Sequence, residues 1–157
     1  MFRDYLFGKR DYDYFLANPP GEEVHQEAFL DSIVPVMDAG QGELIDGDAI
    51  AHAEIGKGVW IEAAHGHSPG NYIVNAQDGG APGLFWGDVI HHPVQLVRPD
   101  VPFAFDHDIH AASQVRRGVL ARAADSDMMC FPAHFQRCSA GRIHRDGDAY
   151  RYEWAQD

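Results

Sequence analysis

The chain is short of cysteine, short of basic residues and without a long apolar run, and each shortage closes off a class of protein. Two cysteines, Cys130 and Cys138, in 157 residues exclude the disulfide framework that staples small secreted domains. Cys130 lies in the apolar run MMCFPA and reads as a core residue. Twelve Lys+Arg stand against 24 Asp+Glu, a formal net charge of -12. Such a surface repels phosphate backbones and anionic bilayers, so neither nucleic acid nor membrane is an expected partner. The opening MFRDYLFGKRDYDYFL carries charges every few residues. That spacing leaves no secretory h-region and no bilayer span, which makes the cytoplasm the expected location. Repeats and low-complexity segments are also missing. What remains is a globular composition, 45% apolar and 23% charged, on a chain long enough for one domain with a core and too short for two comfortable ones. Residues 1–157 therefore read as a single domain.

The apolar periodicity changes along the chain. After a short strand, Arg10 to Asn18 is a candidate helix that stops ahead of Pro19-Pro20-Gly21. Val24 to Gly40 follows, with Leu30, Ile33, Val34 and Met37 at helical spacing, Gly40 as its stop, and Pro35 placed to kink the helix or split it in two. From Gly42, the runs GELID, AHAEIGKGVWIEAA, NYIVNA and GLFWGDV are β-branched or aromatic and separated by glycine and proline, which reads as successive strands. His110 to Asp127 returns to helix, with Ala112, Val115, Val119 and Ala123 three and four apart. MMCFPA is a short buried strand, and RIHRDGDAYRYEW is a hairpin turning at Asp146-Gly147. The sum is a mixed α/β domain with a mostly sequential sheet.

Metal-capable side chains fall at matching places in this pattern. His67 follows VWIEAA, Asp88 follows LFWG and His134 follows CFPA, each just past the end of a buried run. In open α/β sheets that edge gathers ligands and catalytic groups. Imidazole and carboxylate suit zinc and similar divalent ions, and a carboxylate can bridge two of them. Taken singly, each residue also has an ordinary reading: a turn histidine, a capping aspartate, a loop or core histidine. A cupin-type His-x-His at His65 and His67 would want a glutamate about four residues on, where Gly70, Asn71 and Tyr72 stand.

The stretches GHSPG, GDVIHHP and FPAHF, in that order, resemble the metallo-β-lactamase fold family, in its lactonase-, phosphotriesterase- and glyoxalase-II-like branch. The resemblance runs from about Tyr5 to Trp154. It implies that His67 is a metal-ligand histidine, that Asp88 bridges two metals and so takes part in catalysis, and that His134 is the last ligand histidine. His91 and His92 match a His-His of one branch and are implied to line the pocket or support the ligands. His65 stands where no ligand is called for and reads as a loop residue or a member of the same supporting group. Asn71 takes a place where many relatives carry another histidine.

One expected feature is missing. The family's His-x-His-x-Asp-His stretch, which lies ahead of the part matching YLFGKRDYDYF, has no counterpart in this chain. FDHDIH at 105–110 is only superficially similar, falling where the family has a surface loop entering a helix. There Asp108 reads as the helix N-cap, and His107 and His110 as solvated. The resemblance thus implies an N-terminally truncated αββα sandwich, its C-terminal half with sheet and flanking helices. It implies a metal-dependent hydrolase of ester, lactone or phosphotriester bonds, acting on a small molecule through a hydroxide held by two zinc ions, with iron or manganese in some branches. This chain would hold one ion or none. The alternative is a non-catalytic metal-binding or oligomerising module, with two copies covering an exposed apolar sheet face.

Overall fold

The computed structural model describes residues 5–18, 27–47, 49–51, 57–136 and 140–155. The Pro19-Pro20-Gly21 break, the expected helix start at Val24, residues 52–56 of the second strand run and Cys138 lie outside them. The chain divides into two compact units, Met1–Gly47 and Asp48–Asp157.

In the first unit, strand β1 (Tyr5–Gly8) pairs in parallel with β2 (Gly42–Ile45). Parallel neighbours need a crossover, and helices supply it: α1 (Lys9–Ala17), then a π-helical turn (Phe29–Ile33) running into α2 (Val34–Asp38). The expected kink at Pro35 is this change of winding. Proline has no N–H for the bond to the carbonyl four residues back, and the wider π turn sits directly before it. Gly40 ends the segment at φ +69°. Phe29 is buried, with its ring against Tyr12 at 5.4 Å and Phe15 at 5.7 Å.

The second unit is a seven-stranded sheet in strict sequence order: β3 (Ala49–Ala51), β4 (Val59–Ala63), β5 (Tyr72–Ala76), β6 (Gly83–Gly87), β7 (Met129–Pro132), β8 (Gly141–Asp146) and β9 (Ala149–Trp154). All neighbours are antiparallel except β6 and β7, which are parallel. The crossover between those two contains α3 (Val94–Val97) and α4 (Ile109–Ala124). Asp108 caps α4, accepting from His110 N and Ala111 N, as its sequence position implies. The hairpin differs by one residue from the expected turn. Asp146 pairs with Ala149, so Gly147-Asp148 makes the turn, with Gly147 at φ +61° taking the first position.

Alternation along the strands separates two faces. Asn75, Leu84 and Cys130 are in register and buried. This face packs on α4, where Leu120 and Ala123 are fully buried and Arg122 pairs with Glu62 of β4 at 2.7 Å. Side chains the size of Leu84 and Leu120 each stabilise by about 1.5–3 kcal/mol when removed from water. Burial pushes the Cys130 thiol up to about 12 against an opposing pull from Arg122, which leaves it an unreactive core group. The other face carries the row Val74, Phe85 and Phe131. The two phenylalanine rings stack there at 4.4 Å, and Phe85 is 44% exposed. Among the described residues, no helix is long and apolar enough to cross a membrane.

Candidate metal centre

Strand directions decide which loops meet. β4 runs antiparallel to β5, β5 antiparallel to β6, and β6 parallel to β7. The C-terminal ends of β4, β6 and β7 therefore share one edge of the sheet, and His67, Asp88 and His134 follow those three ends.

The His-Gly-His turn is held by its backbone. Ala64 N donates to Asn71 O at 2.8 Å, Gly66 N to Ser68 O at 3.0 Å, and the Asn71 amide to Ala64 O at 3.0 Å. Asn71 therefore closes the loop that presents His67. Two further bonds clamp the turn to the segment entering α4: His107 N to His67 O and Asp108 N to Gly66 O, both 2.9 Å. Gly66 is required between the two histidines. Its φ is +145°, and a Cβ there would stand 2.3 Å from Ala112 N.

Asp88 follows the end of β6, where Val89 N bonds back to Trp86 O at 3.1 Å. Phe135 fixes the loop of His134 by burying its ring against Trp86 at 5.8 Å and Tyr152 at 5.3 Å. The outcome is a cluster centred on Asp88. His134 Nε2 lies 2.5 Å from Asp88 Oδ1, His91 Nε2 lies 3.8 Å from Oδ1, and His67 Nε2 lies 4.0 Å from Oδ2. Burial raises the Asp88 carboxyl pKa, but the His134 hydrogen bond and the electrostatic interactions with His67, His134 and His91 outweigh it, so the net shift is downward.

His91 enters this cluster from within the Asp88 loop. Its backbone N donates to the buried Gln95 side chain at 2.8 Å, and Gln95 donates to Val101 O at 3.0 Å. Its ring is 8% exposed and stacks on Phe103 at 3.7 Å and on His134 at 4.7 Å. Burial, helped by His67, pushes its pKa down to about 4, which keeps the ring neutral near pH 7. Donor atoms of Asp88, His91 and His134 all lie within 4.8 Å of one another, a separation one ion could span. Orientation decides against His91, however. Its ring is within 16° of parallel to that of His134, and lone pairs lying in two stacked ring planes do not meet on one ion. His91 therefore walls the site, and the two other imidazoles meet through Asp88, whose Oδ2 is 4.0 Å from His67 Nε2 and whose Oδ1 is 2.5 Å from His134 Nε2. Their types, two imidazoles and a carboxylate, fit a divalent ion with an open position.

The remaining sequence-selected histidines lie apart from this set. His65 packs edge-on against Tyr72 at 5.6 Å. His92 is exposed, and its Nδ1 accepts from Val94 N at 3.1 Å at the start of α3. His107 and His110 are exposed, as expected. The stretch 105–110 is nonetheless more than a surface loop. The Asp106 side chain is fully buried, with Oδ1 3.2 Å from His67 Nδ1. Its Oδ2 accepts from Phe103 N at 2.9 Å and from Arg116 Nη2 at 3.4 Å. Asp106 and Arg116 escape a motif reading. The one usable signal is Arg116 itself, a charge four residues from both Ala112 and Leu120 on the buried stripe of α4.

No family model and no curated protein matches the chain. Solved structures do. AbOPH, a hydrolase in the beta lactamase superfamily, matches with a TM-score of 0.78 at 22% identity over 97% of this chain and 55% of its own. AidC, a dizinc quorum-quenching lactonase solved with a product, matches with a TM-score of 0.76 at 17% identity over 98% of this chain and 55% of its own. A probable metal-dependent hydrolase from Staphylococcus aureus gives 0.75 at 13% identity, over 98% and 53%. The chain thus spans about half the length of these structures. Across that span it has the fold of the metallo-β-lactamase-type hydrolases.

Proposed function

We propose that this chain carries the aspartate-centred part of a metallo-hydrolase site, with His67 Nε2, the Asp88 carboxylate and His134 Nε2 as ligands of one divalent ion. The bonds cleaved are those of a small-molecule ester, lactone or phosphotriester. The observation that carries the reading is that imidazoles following two other strand ends, His67 and His134, both stand beside the Asp88 carboxylate. Zinc suits this donor set, with iron or manganese as substitutes. Such an ion supplies Lewis acidity and brings the pKa of water near neutrality. Asp88, held below the usual carboxylate range, keeps its negative charge where the cation would sit. The His91 and Phe103 rings stack beside the site at 3.7 Å.

The test counts metal and turnover together. After zinc loading and dialysis, about one zinc per chain is expected by atomic emission. Turnover of an aryl ester, a lactone or a phosphotriester above a zinc-only blank is expected alongside it. Protein that retains no zinc would sink the reading.

A second reading, a non-catalytic module that works as assembled copies, is favoured by the outer sheet face with its stacked Phe85 and Phe131. Phe85, 44% exposed on that face, is an apolar group that self-association would cover, so a homodimer is expected by light scattering, with Phe85→Glu as a monomer. A wild-type monomer at micromolar concentration would count against it. Retained zinc without turnover would favour this second reading over the first.

A further inference from the structure

The three polar contacts of the buried Asp106 divide unequally between its oxygens. Oδ2 takes two donors, the Phe103 N–H at 2.9 Å and the Arg116 guanidinium at 3.4 Å. Oδ1 is left facing His67 Nδ1 at 3.2 Å. A carboxylate only accepts, so that contact requires the proton on Nδ1, which frees the Nε2 lone pair to face Asp88. From this geometry we infer that Asp106 is a positioning residue: it fixes His67 in the Nδ1–H tautomer and aims Nε2 at the metal centre. The inference rests on the proposed function, in which His67 is a ligand.

The surroundings leave the pair little freedom. His67 is 14% exposed and Asp106 0%. The backbone bonds from His107 N to His67 O and from Asp108 N to Gly66 O, both 2.9 Å, bind together the segments carrying the two side chains. Arg116, 1% exposed, holds the carboxylate from behind. A carboxylate on the far nitrogen of a ligating histidine sets both ring direction and basicity, and losing one typically costs about 10–100-fold in metal affinity.

The near-isosteric variant Asp106→Asn separates this role from packing. The Phe103 and Arg116 donors demand an acceptor, so the amide oxygen must take the Oδ2 place. The amide NH2 then faces His67 Nδ1 and donates to it. That drives the proton to Nε2 and removes the lone pair from the metal side. In long-range 1H–15N spectra of the metal-free protein, His67 is expected as the Nδ1–H tautomer in the wild type and as the Nε2–H tautomer in the variant. Zinc affinity by chelator competition, read at a temperature where the variant is fully folded, is expected to fall about 10–100-fold. An Nε2–H tautomer in the wild type overturns the assignment without any variant. An unchanged tautomer in Asp106→Asn overturns it whatever the zinc result. The expected tautomer switch in a protein that takes up no zinc would instead sink the metal reading while leaving the positioning intact.

Discussion

Asp88→Ala is expected to lose more than about 100-fold in zinc affinity, because even the outer partners of metal ligands are worth about 10–100-fold and Asp88 stands at the centre. Its carboxylate is the common neighbour of His134 at 2.5 Å, His91 at 3.8 Å and His67 at 4.0 Å. Without it, three imidazoles crowd a space with no negative charge, and a cation placed there meets no anionic donor. The side chain is 46% exposed, so folding stability should move by no more than about 1 kcal/mol, the worth of an exposed ion pair. His65→Ala and His92→Ala are the matched comparisons. The first removes a ring packed on Tyr72 and the second a ring that caps α3, and both should leave zinc affinity unchanged. Competition with a chromophoric chelator reads all three. Equal affinities for Asp88→Ala and wild type would show that the cluster is only a hydrogen-bonded group at the sheet edge.

Much of this arrangement is legible in the sequence because glycine, proline and the change from 3.6- to 2-residue periodicity mark where elements end. His67, Asp88 and His134 can be placed at strand ends on that basis alone, and Asp108 can be placed as a cap. What brings them to one edge is less legible. It depends on β6 and β7 being parallel, a consequence of the long helical crossover between them. The hairpin shows how local the remaining errors are: Asp146-Gly147 and Gly147-Asp148 are both acceptable turn pairs, and the register of β8 on β9 selects the second. Asp106 is hidden for a different reason. It lies in a loop beside two exposed histidines, and its partner His67 is 39 residues away. No periodicity reports a buried polar contact between two loops. His91 is intermediate. The His-His pair is visible in sequence, but only the packed structure separates the ring stacked in the cluster from the ring turned to cap α3.

Arg116→Leu is expected to cost about 3–5 kcal/mol of folding free energy, the usual penalty for breaking a buried charged contact by removing one partner. Arg116 is 1% exposed. Its Nε donates to Val89 O at 2.9 Å, and its Nη1 donates to Pro99 O at 2.8 Å and to Val101 O at 3.1 Å. Its Nη2 reaches Asp106 at 3.4 Å. Leucine fills part of the space but leaves Val89 O and Pro99 O without the guanidinium donor, each worth about 1–3 kcal/mol when buried, while Val101 O keeps the Gln95 amide at 3.0 Å, and it leaves Asp106 without its cation. Burial lowers the Arg116 pKa, and Asp106 acts in the opposite sense to keep the guanidinium charged. Arg116→Lys should recover only part of the loss. A single ammonium cannot donate to Val89, to Pro99 and to Asp106 at once as a planar fork does. Urea unfolding should therefore rank wild type above Arg116→Lys and Arg116→Leu last, and a loss below about 1 kcal/mol for leucine would contradict the account. The same side chain ties Val89, the residue after Asp88, to Asp106, the partner of His67. Through that tie, Arg116→Lys at a temperature where it is fully folded should weaken zinc binding as well, by altering the spacing between two ligands it never touches.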